Sequence, residues 1–467
     1  MLRSRYNGPG GYREVFAVSL PLIVSMASNT FMQFTDRMFL AGYSVDAIAA
    51  AMPAGMAVFL AIAFFMGTGG YVNVFVAQYV GAGRPRRVGA ALWQGLWFSL
   101  LASALLALLA LPAESLFSLT GHPPAVRRLE VIYFQVLALG AGFSVLGSVL
   151  ACFYTGRGQA RVVMLANMAG AALNVPLDYA LIYGAWGLPE LGIAGAGIAT
   201  VASSAFICLI IALLIFRRAN EADFGVRSAW KPERELFGRL MRYGLPGGVQ
   251  YCMDMLAITF FIFMVGRLGR AELAATNIVF NISSLAFMPM IGLHVGVNTL
   301  VGQAVGRGRP EDGARAATSA LHVALTYMSL FALAFVCLPE PLLGLFRPAD
   351  ASAAEFEAIM EAGVVLLRFV ALYNCFDAVG IIYSGAIRGA GDTWFVMKAI
   401  AVAAVLAMFL PVTVLATLYE GTLYQLWACA TLYISALGLI FALRYRQGAW
   451  RSMSVIETAP ASVGLNS

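Results

Sequence analysis

The sequence predicts an all-α membrane protein in which twelve transmembrane helices form two parallel-repeat lobes of six helices around a central cavity. Three observations lead to this prediction. Hydrophobic residues make up 61% of the 467 positions, charged residues only 12%, and the mean hydropathy is +0.81. A soluble domain of this length does not have such a composition. The apolar residues fall into about twelve stretches of the ~20 residues that a spanning helix needs, and the chain repeats itself.

Each apolar stretch is predicted to form one spanning helix. The predicted helices cover residues 15–39, 51–80, 88–111, 130–154, 162–183, 192–216, 240–265, 275–305, 316–338, 358–387, 395–418 and 423–445. The N-terminal residues Met1 to Arg13 lack the short apolar core and cleavage site of a secretory signal. The six cysteines all fall inside apolar stretches without metal-ligand spacing, so we interpret them as small buried side chains.

The basic residues are distributed unevenly between the two sides of the predicted membrane. If the N-terminus is cytoplasmic, the cytoplasmic segments hold 23 of the 30 Lys and Arg residues, Arg388 and Lys398 among them. This is the distribution that the positive-inside rule describes, and it predicts that both termini are cytoplasmic. The localisation that we expect is the plasma (inner) membrane of a prokaryote. The net charge of +6 is therefore a topology signal and predicts no nucleic-acid partner.

The repeat appears when the sequence is shifted by 225 residues. Val72–Pro85 then aligns with Val297–Pro310, and nine of the fourteen pairs are identical; the same shift brings Pro21 onto Pro246. Both copies end in a basic turn on the same side, so the halves are parallel repeats. The predicted organisation is an N-lobe at 1–216, a cytoplasmic linker at 217–239, a C-lobe at 240–445 and a cytoplasmic tail at 446–467.

Four carboxylates lie in the apolar stretches: Asp36, Asp178, Asp254 and Asp377. A charge at bilayer depth costs at least ~2.5 kcal/mol on insertion scales, so four of them indicate a path for cations. The alternative is that they are snorkelling helix ends or structural hydrogen-bonding groups. The repeat pairs Asp254 with an asparagine and Asp36 with a phenylalanine, so each half has its own acidic set.

Polar companions favour the functional interpretation. Asn174 lies one helical turn before Asp178, and Tyr373 lies one turn before Asp377, hence on the same helix faces. Pro21 and Pro246 each remove a helical hydrogen bond, which permits kinks, and we predict them as hinges. The three histidines are interpreted as packing or surface residues. No H-E-x-x-H or G-x-S-x-G motif is present, so we predict no enzyme activity and no cofactor.

At this point the sequence resembles the multidrug and toxic compound extrusion (MATE) family over essentially its whole length, and its NorM-type members in particular. Beside Pro21 followed by Asp36, the segments that carry the resemblance are Asn174–Tyr179, Gly192–Thr200, Gly244–Pro246 followed by Asp254, and Tyr373–Asp377 followed by Gly385–Thr393. Their order and spacing are more specific than any one of them.

The resemblance implies a MATE/MOP-type fold and a monomeric antiporter that exports organic, often cationic, small molecules through the bilayer in exchange for Na⁺ or H⁺. Asp36, Asn174, Asp178 and Thr200 resemble the family's N-lobe cation site, and Asp254, Tyr373 and Asp377 resemble its C-lobe site. Either set would suit Na⁺, because carboxylate, amide, hydroxyl and phenol oxygens are hard ligands. The alternative function is a flippase for lipid-linked saccharides of the same superfamily, which would need a basic cavity.

Overall fold

Twelve helices long and apolar enough to cross a membrane are present in the described part of the chain, which in this computed structural model comprises residues 6–346, 353–419 and 421–457. They are α1 (Tyr12–Tyr43), α2 (Val45–Gly81), α3 (Pro85–Leu108), α4 (Pro124–Thr155), α5 (Ala160–Tyr183), α6 (Ile193–Ile215), α7 (Arg234–Gly266), α8 (Arg270–Gly306), α9 (Pro310–Cys337), α10 (Ala353–Ala390), α11 (Thr393–Leu418) and α12 (Leu423–Arg446). Residues 1–5 of the predicted N-terminus and 458–467 of the predicted tail lie outside the described residues.

Most helices extend beyond their predicted ends because hydropathy detects only the part in the hydrocarbon core. For example, α7 begins at Arg234, inside the predicted linker, and α2 begins at Val45. Several boundaries follow local chemistry. Proline occupies the first turn of α3, α4 and α9, where its missing N–H costs nothing. Gly184 ends α5 in the left-handed conformation, with φ 70°.

The twelve helices pack as two lobes. In the N-lobe, formed by α1–α6, α4 packs against α2, α3 and α6, and α5 packs against α1 and α6. In the C-lobe, formed by α7–α12, α10 occupies the equivalent central position and packs against α8, α9 and α12.

Two of the helices depart from a regular α-helix. The helix α2 is interrupted at Gly70 and Tyr71, and α11 contains a π-helical turn at Ala404–Phe409.

The lobes meet through helices that the repeat makes equivalent. Helix α1 packs against α8, and α2 packs against α7. At the centre of the interface, Asn73 Nδ2 donates to Asn298 Oδ1 at 3.4 Å. These asparagines are 225 residues apart, so each contacts its own repeat equivalent. Such a contact requires an approximate two-fold axis between the lobes and confirms the predicted repeat.

A second pair of equivalent contacts lies at one end of this interface. Gln78 Nε2 donates to the carbonyl oxygen of Gly389 at 3.0 Å, and Gln303 Nε2 donates to that of Gly156 at 2.8 Å. Both glutamines therefore join their own lobe to the final turn of a helix in the other lobe. This end also contains the arginine-rich turns after α2 and α8, so we call it the basic end.

The lobes approach so closely at the basic end that only glycine fits. A Cβ at Gly81 would lie 2.1 Å from the carbonyl oxygen of Gln303, and one at Gly306 would lie 2.2 Å from that of Gln78. Both values are far below van der Waals contact, and the neighbouring atoms are backbone. The basic end is thus closed by direct backbone packing between the lobes.

Candidate functional site

The first candidate site lies in the N-lobe, where α1, α5 and α6 come together. Asp36 lies on α1, Asn174 and Asp178 lie one turn apart on α5, and Thr200 lies on α6. The structure brings together all four residues that the sequence assigned to an N-lobe site. Asn174 and Asp178 are fully buried, and only 6% of Asp36 is exposed.

Hydrogen bonds connect these four side chains directly. Thr200 Oγ1 donates to Asp36 Oδ2 at 2.9 Å. With its amide nitrogen turned toward the acids, Asn174 donates to Asp36 Oδ1 and to Asp178 Oδ2, both at 3.0 Å. One amide therefore bridges two carboxyl groups. The second oxygen of Asp178, Oδ1, is buried without a hydrogen-bond partner in the described part of the chain. We call these four residues the N-lobe cluster.

Two buried carboxyl groups that share one amide cannot both remain ionised at low cost. Two negative charges that accept from the same amide nitrogen lie close enough to repel each other, and the apolar surroundings screen that repulsion only weakly. The cluster is electrostatically favourable only when a proton or a metal cation neutralises part of its charge. Its oxygen atoms are hard ligands that suit Na⁺, and the unpartnered oxygen of Asp178 is a free acceptor for either ion. Arg37, which follows Asp36 in sequence, is exposed.

The second candidate site lies in the C-lobe and is more open. Asp254 lies on α7, whereas Tyr373 and Asp377 lie one turn apart on α10. The two carboxyl groups are close enough to interact electrostatically, and both are partly exposed, whereas Tyr373 is buried. Among the described residues, no hydrogen bond joins these three side chains to one another. The structure therefore brings them into one region without the direct connections of the N-lobe cluster.

Arg388, which the sequence analysis counted among the cytoplasmic basic residues, lies in the last turn of its helix with its side chain directed into the protein. It lies in α10, and its Nη1 donates to Gln250 Oε1 on α7 at 3.1 Å, one turn before Asp254. Its Nη2 fills the space where a side chain at position 247 would begin, since a Cβ on Gly247 would lie 2.9 Å away. The guanidinium of Arg388 thus places a fixed positive charge near Asp254. The sequence analysis did not predict this position.

The histidines and cysteines lie outside both candidate sites. His294 Nδ1 bonds the carbonyl oxygen of Ile381 at 2.9 Å, and His322 Nδ1 lies 2.8 Å from the hydroxyl of Tyr12. His122, at the end of the molecule opposite the basic end, pairs with the buried Glu130 at 2.7 Å. All six cysteines are free thiols, but only Cys152 and Cys208 are buried, so the prediction that all six are buried is wrong for the other four.

Comparison with known proteins supports the same assignment. The MatE family model matches residues 21–180 and 246–413, once in each lobe. The chain is 30% identical over 384 residues to the "Probable multidrug resistance protein NorM" of Burkholderia mallei, covering 80% of each chain. It is 29% identical to the "Multidrug resistance protein PmpM" of Pseudomonas aeruginosa, covering 82% of this chain and 79% of that protein.

Solved structures with the same fold are also known. One is a MOP superfamily transporter from Pyrococcus furiosus, with a TM-score of 0.85, 21% identity and 96% of this chain covered. Another is described as the outward-facing conformation of a multidrug resistance MATE family transporter, with a TM-score of 0.85 and 22% identity over the same share. Each comparison covers 98% of the solved chain. The twelve-helix, two-lobe architecture and the two family matches agree: this chain is a multi-pass membrane protein that belongs to the MatE family of transporters.

Proposed function

We propose that the protein is a secondary active antiporter that exports organic, often cationic, compounds in exchange for Na⁺ or H⁺. The observation that carries this proposal is the N-lobe cluster, in which two buried carboxyl groups share one amide donor. Such a group of acids takes up and releases a cation at a defined place in the membrane. An antiporter needs that property to couple ion entry to substrate exit.

The names of the relatives support efflux as the direction of transport, because both are multidrug resistance proteins. In this proposal the protein lies in the membrane of a prokaryotic cell, and its basic end faces the cytoplasm, as the distribution of Lys and Arg predicts. The electrical energy is sufficient for export. At a membrane potential of about −150 mV, one inward positive charge supplies ~3.5 kcal/mol.

The proposed cycle alternates the access of a central route. With the basic end closed, a substrate leaves on the opposite side, and the N-lobe cluster takes up its cation. Neutralising the cluster reduces the repulsion between Asp36 and Asp178. This change would alter how α1 packs against α5 and α6, and the same α1 carries Pro21 and packs against the C-lobe helix α8. Helix α1 therefore takes part both in cation binding, through Asp36, and in the contact between the lobes.

A flippase for lipid-linked saccharides is the second candidate. Arg388 is the observation in its favour, because an interior guanidinium could contact a pyrophosphate. However, Arg388 already donates to Gln250 beside Asp254, and the interior charges are mostly acidic. An acidic route attracts cations and repels a pyrophosphate, so drug efflux is the better proposal.

The test is ethidium accumulation in cells that express the protein or its Asp36→Asn variant. An amide can neither bind a proton in place of the carboxylate nor neutralise a cation. Interactions with charged groups are worth about 1.5–3 kcal/mol, so we expect the efflux rate to fall by roughly 10- to 100-fold. The matched control is Asp46→Asn, an exposed acid in the first turn of α2, which should leave efflux unchanged. Normal efflux by Asp36→Asn at equal expression would disprove the coupling role.

A further inference from the structure

The segment that follows α12 begins firmly attached to the C-lobe. After α12 ends at Arg446, a short 3₁₀ turn spans Ala449–Ser452. Trp450 in this turn is 1% exposed and stacks on Tyr445 of α12 with ring centroids 5.1 Å apart. Arg451 pairs with Glu311 at the start of α9 at 3.1 Å. The turn therefore moves with the C-lobe.

The same segment then crosses to the N-lobe. Val455 and Ile456 are 1% and 8% exposed and pack in a hydrophobic cluster built mainly from α2–α6. The backbone N–H of Val455 donates to Gln78 Oε1 at 2.9 Å, and Ser454 Oγ donates to the same oxygen at 3.1 Å. Apolar burial and two hydrogen bonds thus fix the segment to α2.

Glu457 completes the attachment. Its Oε2 accepts a hydrogen bond from the hydroxyl of Tyr79 at 2.7 Å, and its Oε1 accepts one from Arg87 Nη2 at 2.8 Å. Arg84 of the N-lobe donates to the backbone carbonyl of Glu457 at 3.1 Å, and Arg239, which lies on the C-lobe helix α7, is 3.4 Å from the Glu457 carboxylate. Burial acts to raise the pKa of Glu457, but the Tyr79 hydrogen bond and the arginine charges outweigh it and lower that pKa. The carboxylate is therefore ionised at neutral pH.

Gln78 links this attachment to the closure of the basic end. Its Nε2 donates to Gly389 across the lobe interface, while its Oε1 accepts from Ser454 and Val455. The repeat-equivalent Gln303 makes the matching bond to the other lobe, but its Oε1 accepts from Arg307 of its own lobe at 3.1 Å. The segment therefore strengthens the interface contact of Gln78. The equivalent contact of Gln303 has no such segment beside it.

We propose that residues Ser454–Glu457 form a latch that holds the basic end closed and must release the N-lobe before that end can open. Separation of the lobes would carry Trp450 away with α12 while Tyr79 and Arg87 stay with α2 and α3. The segment is too short to span a widening gap, so its N-lobe contacts would break. The inference rests on the transporter fold and does not depend on which ion or substrate is carried.

The experiment measures the opening of the basic end as the distance between two spin labels, determined by electron–electron resonance spectroscopy. Spin labels are placed at Arg86→Cys and Arg309→Cys, two exposed positions on opposite lobes, in a full-length protein whose native cysteines are replaced by serine. We expect one short distance for the protein with an intact latch. Glu457→Ala should increase the population of longer distances by at least about fivefold, because it removes charge-assisted hydrogen bonds that only the closed state makes.

Two further variants keep the test decisive. Ile456→Ser weakens the same latch through its apolar contact and should shift the distances in the same direction. Glu235→Ala removes an exposed carboxylate that lies 4.0 Å from Arg239 and should change nothing. Melting temperatures identify any variant that is merely unfolded. Distance distributions for Glu457→Ala and Ile456→Ser that match the protein with an intact latch would overturn the proposal.

Discussion

In the N-lobe, two carboxyl groups are buried and joined by the amide of Asn174, whereas in the C-lobe Asp254 and Asp377 are partly exposed and not joined by hydrogen bonds to each other. The two lobes nevertheless descend from one repeated unit. At the C-lobe position equivalent to Asp36, the chain has Phe261, which is 1% exposed and packs on Trp427. An aromatic core thus replaces the acid, and the C-lobe cannot form the same cluster.

This difference suggests a division of labour between the lobes. The N-lobe cluster is dehydrated, so its electrostatic interactions are strong and depend sharply on whether a cation is present. The C-lobe acids are partly exposed, and the positive charge of Arg388 acts on Asp254, which weakens the attraction of that acid for a cation. We therefore expect the N-lobe acids to dominate coupling and the C-lobe acids to modulate it. The following predictions test this comparison from the largest expected effect to the smallest.

Replacing the bridging amide should have the largest effect. Asn174→Leu keeps the branching of the side chain but removes its amide, so both carboxyl groups lose their shared donor. Loss of hydrogen bonds to charged groups costs about 1.5–3 kcal/mol, so we expect ethidium efflux to fall by roughly 10- to 100-fold. The control is Asn277→Leu, at an exposed position on α8. Equal efflux in both variants would show that the bridge is not needed.

Within the C-lobe, we expect unequal contributions. Asp377→Asn should impair efflux more than Asp254→Asn, because Asp377 has Tyr373 one turn away whereas Asp254 has Arg388 on its other side. Since both groups are partly exposed and no hydrogen bond joins them to each other, we expect the losses to be only a few-fold, corresponding to ~1 kcal/mol or less. The measurement compares initial efflux rates at matched expression. An indispensable Asp254 beside a dispensable Asp377 would reverse the ranking.

The smallest expected effect concerns the hinge at Pro21, and by equivalence at Pro246. Pro21 is buried inside the unbroken helix α1, 15 residues before Asp36. If α1 bends there when the cluster binds its cation, Pro21→Ala should slow transport a few-fold while substrate affinity in detergent stays the same. A binding titration and an efflux rate on the same variant provide the test. Equal loss in both would mean that Pro21 shapes a binding site, and unchanged efflux would mean that the proline is passive.

Much of this architecture could be predicted because it depends on composition and repetition. Apolar stretches and the 225-residue shift give twelve helices and two equivalent lobes. The ends of α2 and α7 were missed because polar residues continue a helix beyond the hydrocarbon core, where hydropathy carries no signal. The break at Gly70 and the π-helical turn of α11 depend on tertiary packing, which local sequence does not record.

The candidate site was predicted unevenly for a related reason. Asn174 and Asp178 share a helix face, so their spacing alone places them together. Asp36 and Thr200 lie on other helices, and only the family resemblance predicted that these two residues would lie beside Asn174 and Asp178. The contact of Arg388 with Gln250 was not predicted, because a position near a helix end says nothing about the direction of the side chain. The role of Glu457 was missed because its partners are far away in sequence.

The most direct test of the central claim, that the N-lobe cluster binds the coupling cation, is gradient-driven transport in proteoliposomes. Ethidium movement is followed after a Na⁺ or pH gradient is imposed, for the unaltered protein, Asp36→Asn and Asp377→Asn. We predict that one of the gradients accelerates transport by the unaltered protein and by Asp377→Asn, and that neither gradient accelerates transport by Asp36→Asn. Gradient-driven acceleration that survives in Asp36→Asn but disappears in Asp377→Asn would contradict the account and place coupling in the C-lobe.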